Sequence, residues 1–388
     1  MLNMFSTMIQ SFLCSHLEHH LKDCMKWLLH RADLGIKMNE YFIAWWNVEN
    51  LFDVEDSADR PPRLKEILKE ELIGWNEEVL DNKLSQLAKA ISKMNDGNGP
   101  DILGICEVED GQVINKFVNK IKEMVPRDYQ VVHEELNDKR GIEIGFILDT
   151  SKFDIDKDNQ TGKDLVFSHH VLREEATRNI LQVNLKIKNS RTPLVLVGNH
   201  WPSRTHGELE TEPYRFAAAD ALSYFHKRIL EKHGEDTPIV VMGDFNDMPF
   251  NRSLIDYAFS TPYREQVAKS EYVPFFYNLM WPLISQGFGT HYFAKKEPDP
   301  CNDEYTAYPN MFDQFMVSKS IALEETITVK NNSVKVNKVI GEYDLFEDLF
   351  SFEVPKKFGR PTKCGRPSHM NNKGFSDHFP ISLIIQDP

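Results

Sequence analysis

Ile239-Val240-Val241-Met242-Gly243-Asp244-Phe245-Asn246-Asp247 decides the reading of this chain. The β-branched run Ile239–Val241 predicts a buried strand, and Gly243 lets the backbone turn sharply where that strand ends. Asp244 and Asn246 then stand at its C-terminal mouth, the edge at which an open α/β sheet usually takes its ligand. A carboxylate and a carboxamide two residues apart can hold one water between them, the first accepting its proton and the second fixing its orientation. An Asx turn leaving a strand would use the same residues, so the rest of the chain has to decide.

Similar polar endings recur on both sides of this stretch. Upstream, Tyr41–Trp46 ends in Asn47-Val48-Glu49, Ile102–Cys106 ends at Glu107, and Leu194–Val197 runs into Asn199-His200-Trp201-Pro202-Ser203-Arg204. Downstream, Asp313 lies in the apolar run Met311–Val317, and Asp377-His378 precedes Ile381–Ile385. A single carboxylate at a strand end is ordinarily a turn former or a helix cap. Six such ends carrying Asp, Glu, Asn and His point instead to one crevice along a sheet edge.

Helical spacing places helices over 80–94, 113–124 and 213–230, with Pro213 near the start of the last, and a helical stretch near 253–259. Further strands are expected at 129–133, 142–148, 180–187 and 289–293, and the polar segment 54–77 reads as a surface excursion. Strands and helices alternate without a break or a repeat, so residues 38–388 read as one layered α/β domain. Residues 1–37 read as a non-catalytic leader: Leu13, Leu17, Leu21, Cys24 and Leu28 recur at helical spacing. His16, His19, His20 and His30 have no carboxylate or thiol partner placed with them, which makes a solvated helix face the simpler reading than a metal site.

Composition bounds the partners. In this chain of 388 residues a net charge of −14 excludes a protein that coats nucleic acid through its whole surface, but not an enzyme with a local basic groove. Five scattered cysteines, Cys14, Cys24, Cys106, Cys301 and Cys364, suggest neither a disulfide framework nor a zinc site; reduced thiols in a cytoplasm are expected. No apolar run approaches the ~20 residues of a membrane span, and no signal peptide is recognised. Between Pro355 and Ser376 stand Lys356, Lys357, Arg360, Lys363, Arg366 and Lys373 with no Asp or Glu. This loop leads into Asp377-His378 and is expected to focus anionic substrate onto the crevice.

Taken as an ordered set, Trp46-Asn47-Val48-Glu49-Asn50-Leu51-Phe52, Cys106-Glu107-Val108-Glu109, Asn199 to Arg204, Gly243 to Asp247, Asp313 to Ser318 and Ser376 to Pro380 resemble the endonuclease/exonuclease/phosphatase superfamily. These are metal-dependent phosphoesterases that include pancreatic-type deoxyribonuclease and abasic-site endonucleases. The resemblance covers residues 41–386 and implies a four-layer α/β sandwich, two packed mixed β-sheets flanked by helices. It implies Glu107 as principal Mg²⁺ ligand, supported by Asn47, Glu49 and Asp377, with Mn²⁺ able to substitute. Asp244 and Asn246 correspond to the water-activating pair, His378 to the histidine facing the phosphate, and Asp313 to the carboxylate that fixes its tautomer. His200 corresponds to a residue at the phosphate or leaving group. Asn199, Arg204 and Arg140, the last from Arg140-Gly141-Ile142-Glu143, are candidate phosphate contacts.

The leading expectation is a Mg²⁺-dependent phosphodiester hydrolase acting on DNA or RNA. A phosphatase or phosphodiesterase on a small-molecule or lipid phosphate is the alternative. The inositol-phosphate branch is disfavoured because Asp247 stands where that branch has Arg, and Asn310-Met311-Phe312-Asp313 lacks its Trp-Cys-Asp-Arg. A member that only binds a partner would show erosion of the acid, amide or histidine positions, and none is eroded.

Overall fold

A computed structural model describes residues 38–134, 141–173, 175–176, 178–296, 305–349, 352–362 and 368–387. The leader helix, Arg140, Lys363, Arg366, Cys14, Cys24, Cys301 and Cys364 lie outside the described residues. Within Glu40–Asp387 the strands form two large sheets.

The first sheet has seven strands in the spatial order Thr328–Val329, Ile381–Asp387, Asn39–Leu51, Ile102–Val108, Glu143–Asp149, Tyr129–His133, with Lys335–Val336 also on Ile381–Asp387. The second has eight, in the order Ser260–Thr261, Phe276–Asn278, Asp313–Val317, Ile239–Asp244, Pro193–His200, Ile180–Ile187, Phe153–Ile155, with Val166–His169 also on Ile180–Ile187. Each is mixed. The central pairs, Asn39–Leu51 with Ile102–Val108 and Pro193–His200 with Ile239–Asp244, are parallel, and their outer neighbours antiparallel.

Alternation along the strands assigns the faces. In the second sheet Leu196, Val240 and Met242 join the core between the sheets, whereas Val195, Val197, Ile239 and Val241 pack on Ala218, Ala219, Leu222, Ile229 and Leu230 of the Glu208–His233 helix. In the first sheet Ile144 and Phe146 face inward, and Gly145 faces Ile114 of the Gly111–Lys122 helix. The sheets approach closely because glycines line their contact. A Cβ on Gly104 would lie 2.6 Å from Trp45 and 3.0 Å from Met242 Sδ, and one on Gly198 would lie 2.9 Å from Ile144. The result is the four-layer arrangement: helix, sheet, sheet, helix.

Both first-sheet helices start earlier than the expected 80 and 113, at Glu77 and Gly111, because a side-chain cap precedes each. Asn76 accepts the Val79 N–H at the head of Glu77–Ser92, and Asp110 accepts that of Val113 at the head of Gly111–Lys122.

Two expectations are corrected. The long helix runs Glu208–His233, so Pro213 sits inside it rather than at its head. The extra turn is held by Arg215, whose guanidinium donates to Thr211 Oγ1 at 2.7 Å and to the Glu208 carbonyl at 2.9 Å. Residues 54–77 are not a bare surface excursion. They contain the helix Pro62–Leu68, and Leu68, Leu72 and Trp75 are buried against Phe52 and Phe358, with Trp75 Nε1 donating to the Phe52 carbonyl at 3.0 Å. The stretch near 253–259 is a π-helical turn, Ser253–Tyr257. Among the described residues no helix is long and apolar enough to cross a membrane.

Candidate active site

Register brings the polar strand ends to one edge. Asn47 is level with Cys106 in one parallel pair, and Asn199 with Gly243 and His200 with Asp244 in the other. Asp244 is in turn level with Asp313 on the antiparallel strand beside it. Gly243 is required by crowding: a Cβ there would lie 2.4 Å from the Asn199 carbonyl oxygen.

Immediately after it the chain makes a tight elbow. The Asn246 N–H donates to Asp244 Oδ1 at 2.9 Å, and its Nδ2 donates to Asp244 Oδ2 at 3.2 Å and to the Trp201 carbonyl at 3.0 Å. Asn47 Nδ2 reaches the same Asp244 Oδ2 from the other sheet, at 3.1 Å. Burial pushes the Asp244 carboxyl up to about 6, with Asp313 and Glu107 adding to the rise against the pull of the His378 cation. Several site residues take left-handed backbone: φ is +63° at Glu107, +54° at Glu49, +52° at Asn50 and +50° at Asn246.

His378 faces this elbow. Its Nε2 is 4.0 Å from Asp244 Oδ2, and its Nδ1 is 2.6 Å from Asp313 Oδ2. Burial alone would depress this imidazole; Asp313 and Asp244 outweigh it and raise the group to about 10, so the ring is a cation at neutral pH. The other Asp313 oxygen accepts Trp45 Nε1 at 3.0 Å, and the Asp313 N–H donates to Thr290 Oγ1 at 3.0 Å. His200 completes the cluster, with Nε2 3.6 Å from Glu107 Oε1 and 3.7 Å from Asp244 Oδ2.

The acidic residues behave differently from one another. Glu107 Oε2 accepts the Asn50 N–H at 3.0 Å, while Oε1 looks into the site. Glu49, expected among the ligands, is buried and engaged: its oxygens accept the N–H groups of Phe358 and Gly359 at 3.0 and 3.1 Å, and Lys357 Nζ stands 3.2 Å away. These contacts tie it to the loop before Asp377. Burial works to raise Asp377, but the His378 and Lys357 cations override it and hold the carboxyl at about 2.

Among the described residues no group of three or more His, Cys, Asp and Glu is arranged to hold a metal ion. The donor chemistry still fits a hard cation that keeps most of its waters, because Glu107 offers a carboxylate oxygen toward His200 and the buried Asp244 carboxylate lies near the same ring.

The expected phosphate contacts fare less well. Arg204 is occupied within the fold, donating to the Asn246 carbonyl at 2.7 Å, Asp247 at 2.5 Å, Asn251 at 3.0 Å and Glu208 at 2.7 Å. It braces the turn after Asn246. Asn199 is fully buried, and its carboxamide accepts Trp201 Nε1 at 3.1 Å. In the basic loop, Arg360 pairs with Glu71 and Lys357 with Glu49 and Asp377, so these two cations serve internal pairs first.

Residues that sequence reading passed over also belong to the site. Trp45 and Thr290 hold Asp313. Lys83, fully buried, donates to the Glu49 carbonyl at 2.7 Å. His291 lies 4.8 Å from the His378 ring between Phe312 and Phe293, with backbone bridged to His378. Neither Trp45 in an apolar run nor Lys83 in a helix carries a local signal of such a role.

The sequence matches the Endonuclease/Exonuclease/phosphatase family over residues 42–387, and the chain belongs to that family of phosphoesterases. Among solved structures it is similar to an endonuclease/exonuclease/phosphatase family protein from Bacteroides thetaiotaomicron, at 14% identity and a TM-score of 0.50 over 91% of this chain and 96% of the other. It is likewise similar to TDP2 from C. elegans, at 14% identity and a TM-score of 0.50 over 92% of this chain and 79% of the other. These likenesses bear on the fold. No curated protein matches the sequence.

Proposed function

We propose that this chain is a Mg²⁺-dependent phosphodiester hydrolase that cleaves DNA or RNA by attack of a water held at Asp244. The observation that carries the reading is the convergence on Asp244 Oδ2 of Asn47, Asn246, His200 and His378, within 3.1 to 4.0 Å. Phosphodiester hydrolysis needs an oriented water, positive charge on the non-bridging oxygens and help for the leaving oxygen.

Asp244 accepts the water's proton as Asn246 and Asn47 hold the carboxylate still. The His378 cation, kept in place by Asp313, faces the phosphoryl oxygens. His200, between Glu107 and Asp244, is placed to donate a proton to the departing oxygen. A divalent cation bound at Glu107, with Asn47 on the neighbouring strand, would supply Lewis-acid polarisation of the phosphoryl group.

A polymeric substrate is supported by the hairpin that leads out of the site from His291. Phe293 and Tyr308 are direct cross-strand partners, 47% and 55% exposed, and flat exposed rings beside a cleavage site suit stacking of unpaired bases.

The test is plasmid nicking and single-strand cleavage with Mg²⁺, with EDTA, and with Asp244→Ala and His378→Ala, beside a panel of phosphate monoesters. Cleavage abolished by EDTA and by both substitutions supports the proposal. Phosphate release from monoesters without nicking would replace it with a small-phosphate enzyme, and inactivity on both would leave a binding protein.

A further inference from the structure

A lysine occupies the acidic side of the site where a second cation would otherwise be drawn. Lys357 Nζ lies 3.2 Å from Glu49 Oε1 and 3.5 Å from Asp377 Oδ2, bridging two carboxylates from opposite ends of the chain. Much of the remaining capacity of Glu49 is also used. Gly359 N–H donates to Oε1 and Phe358 N–H to Oε2, and Lys83 Nζ stands 3.9 Å from Oε2, above the Phe358 ring. A carboxylate whose oxygens already accept two backbone N–H groups and face an ammonium has little lone-pair capacity left for a metal.

Lys357 differs from Lys83 in one respect. Lys83 has no exposed side-chain surface and belongs to the core, whereas the Lys357 side chain is 51% exposed. Its ammonium is an arm laid over the carboxylate pair from the solvent side, and its removal would leave Asp377 and one edge of Glu49 facing water.

We propose that Lys357 is a built-in counter-ion for Glu49 and Asp377 that limits this site to a single divalent cation, bound on the Glu107 side. The proposal rests on the Mg²⁺ dependence argued above and adds how many ions the site takes and which residue sets that number. A divalent ion placed between Glu49 and Asp377 would have to displace the ammonium or lie against it, and like charges at such separations repel strongly in a partly buried site. With the arm removed, two carboxylates at the crevice edge become an oxygen pair of the kind that holds Mn²⁺ or Mg²⁺ through its waters.

The experiment counts ions rather than turnovers. Mn²⁺ is titrated into the full chain by calorimetry and by loss of the free-ion electron paramagnetic resonance signal, for the unsubstituted protein and for Lys357→Met, Lys357→Arg and Glu107→Gln. The expected result is about one Mn²⁺ per chain for the unsubstituted protein and for Lys357→Arg, about two for Lys357→Met, and loss of the native ion in Glu107→Gln. Two ions on the unsubstituted protein, or an unchanged count and affinity in Lys357→Met, overturns the proposal. No Mn²⁺ on the unsubstituted protein removes the metal dependence itself and this inference with it. Lys357→Arg guards against a folding artefact, since it keeps the charge that the argument needs.

Discussion

Asp313 grips His378 with one carboxylate oxygen, at 2.6 Å, and Trp45 with the other, at 3.0 Å, so the orientation of a buried imidazole is fixed by an indole on the opposite sheet. The arrangement specifies the Nδ1–H form of the ring and turns Nε2 toward Asp244. Replacing Asp313 by Asn removes the charge that outweighs burial and raises His378 to about 10. We expect kcat to fall by about 10²–10³, the usual weight of a preorganised charge-stabilising group. The alkaline limb of the pH profile should move from near 10 toward the ordinary histidine value of 6.5. The sign for stability follows: the cation's contribution is fully present below pH 6.5 and is lost as pH rises through about 10. An alkaline limb that stays put in Asp313→Asn would show that His378 owes its charge to something else.

The acid limb belongs to Asp244. Its carboxyl, raised to about 6, has to be ionised to accept a proton, so activity should decline below pH 6 before any loss of fold. Mg²⁺ bound as proposed would draw this limb to lower pH, because a nearby cation favours the carboxylate. Rate profiles at limiting and saturating Mg²⁺ measure the displacement, and coincident acid limbs would contradict the placement of the ion near Asp244.

Arg204 separates two accounts of one residue. A phosphate contact would raise KM when lost. The clamp seen here, on the Asn246 carbonyl, Asp247 and Asn251, predicts a fall in kcat with KM little changed. Arg204→Met should also cost about 1–3 kcal/mol of stability, because the buried Asp247 loses one partner while keeping Arg215. Steady-state kinetics with a denaturant titration decide, and an increase confined to KM would restore the phosphate role.

Gly243→Ala tests the elbow from the backbone side. The added methyl would lie 2.4 Å from the Asn199 carbonyl oxygen and 2.6 Å from its Cβ, neither of which can swing away. Overpacking of this kind costs about 1–3 kcal/mol. Activity should fall further than stability, because any shift moves Asp244. A fully active, equally stable variant would show that the two strands can part at no cost.

His226 sets an acid boundary away from the site. Its ring stacks on Phe276 at 3.8 Å, neither nitrogen has a hydrogen-bond partner among the described residues, and burial lowers its value to about 3. A group depressed in the folded state contributes stability above its unfolded value of 6.5 and loses it as pH falls toward 3. At about 1.4 kcal/mol per pH unit, roughly 2 kcal/mol is gone by pH 5. His226→Phe should flatten the melting temperature between pH 7 and 5; an unchanged slope would assign the acid sensitivity elsewhere.

Much of this architecture is legible in the sequence because strands announce themselves twice, by an apolar run and by the polar residue that ends it. Asn47, Glu107, His200 and Asp244 were visible for that reason, and the sandwich follows from them in order. Glu49 shows what such reading leaves out. It ends the same strand as Asn47, yet its carboxylate turns to Phe358 and Gly359, more than three hundred positions away. Whether an acidic residue binds a metal or ties down a loop depends on a neighbour that no local pattern contains. Arg204 is ambiguous in the same way, since Trp-Pro-Ser-Arg looks identical whether the guanidinium meets a phosphate or Asp247. Trp45 and Lys83 are silent for the converse reason: an apolar strand and a polar helix would carry them with no task at all.

The left-handed backbone at Glu49, Asn50, Glu107 and Asn246 has an evolutionary corollary. Each costs about 1–3 kcal/mol relative to a relaxed conformation, and glycine would relieve it at once. A screen that rewards heat tolerance alone should therefore collect glycines at these very positions and yield sturdy, inert proteins. The chain keeps its chemistry by tolerating a frame that is less robust than its length would allow.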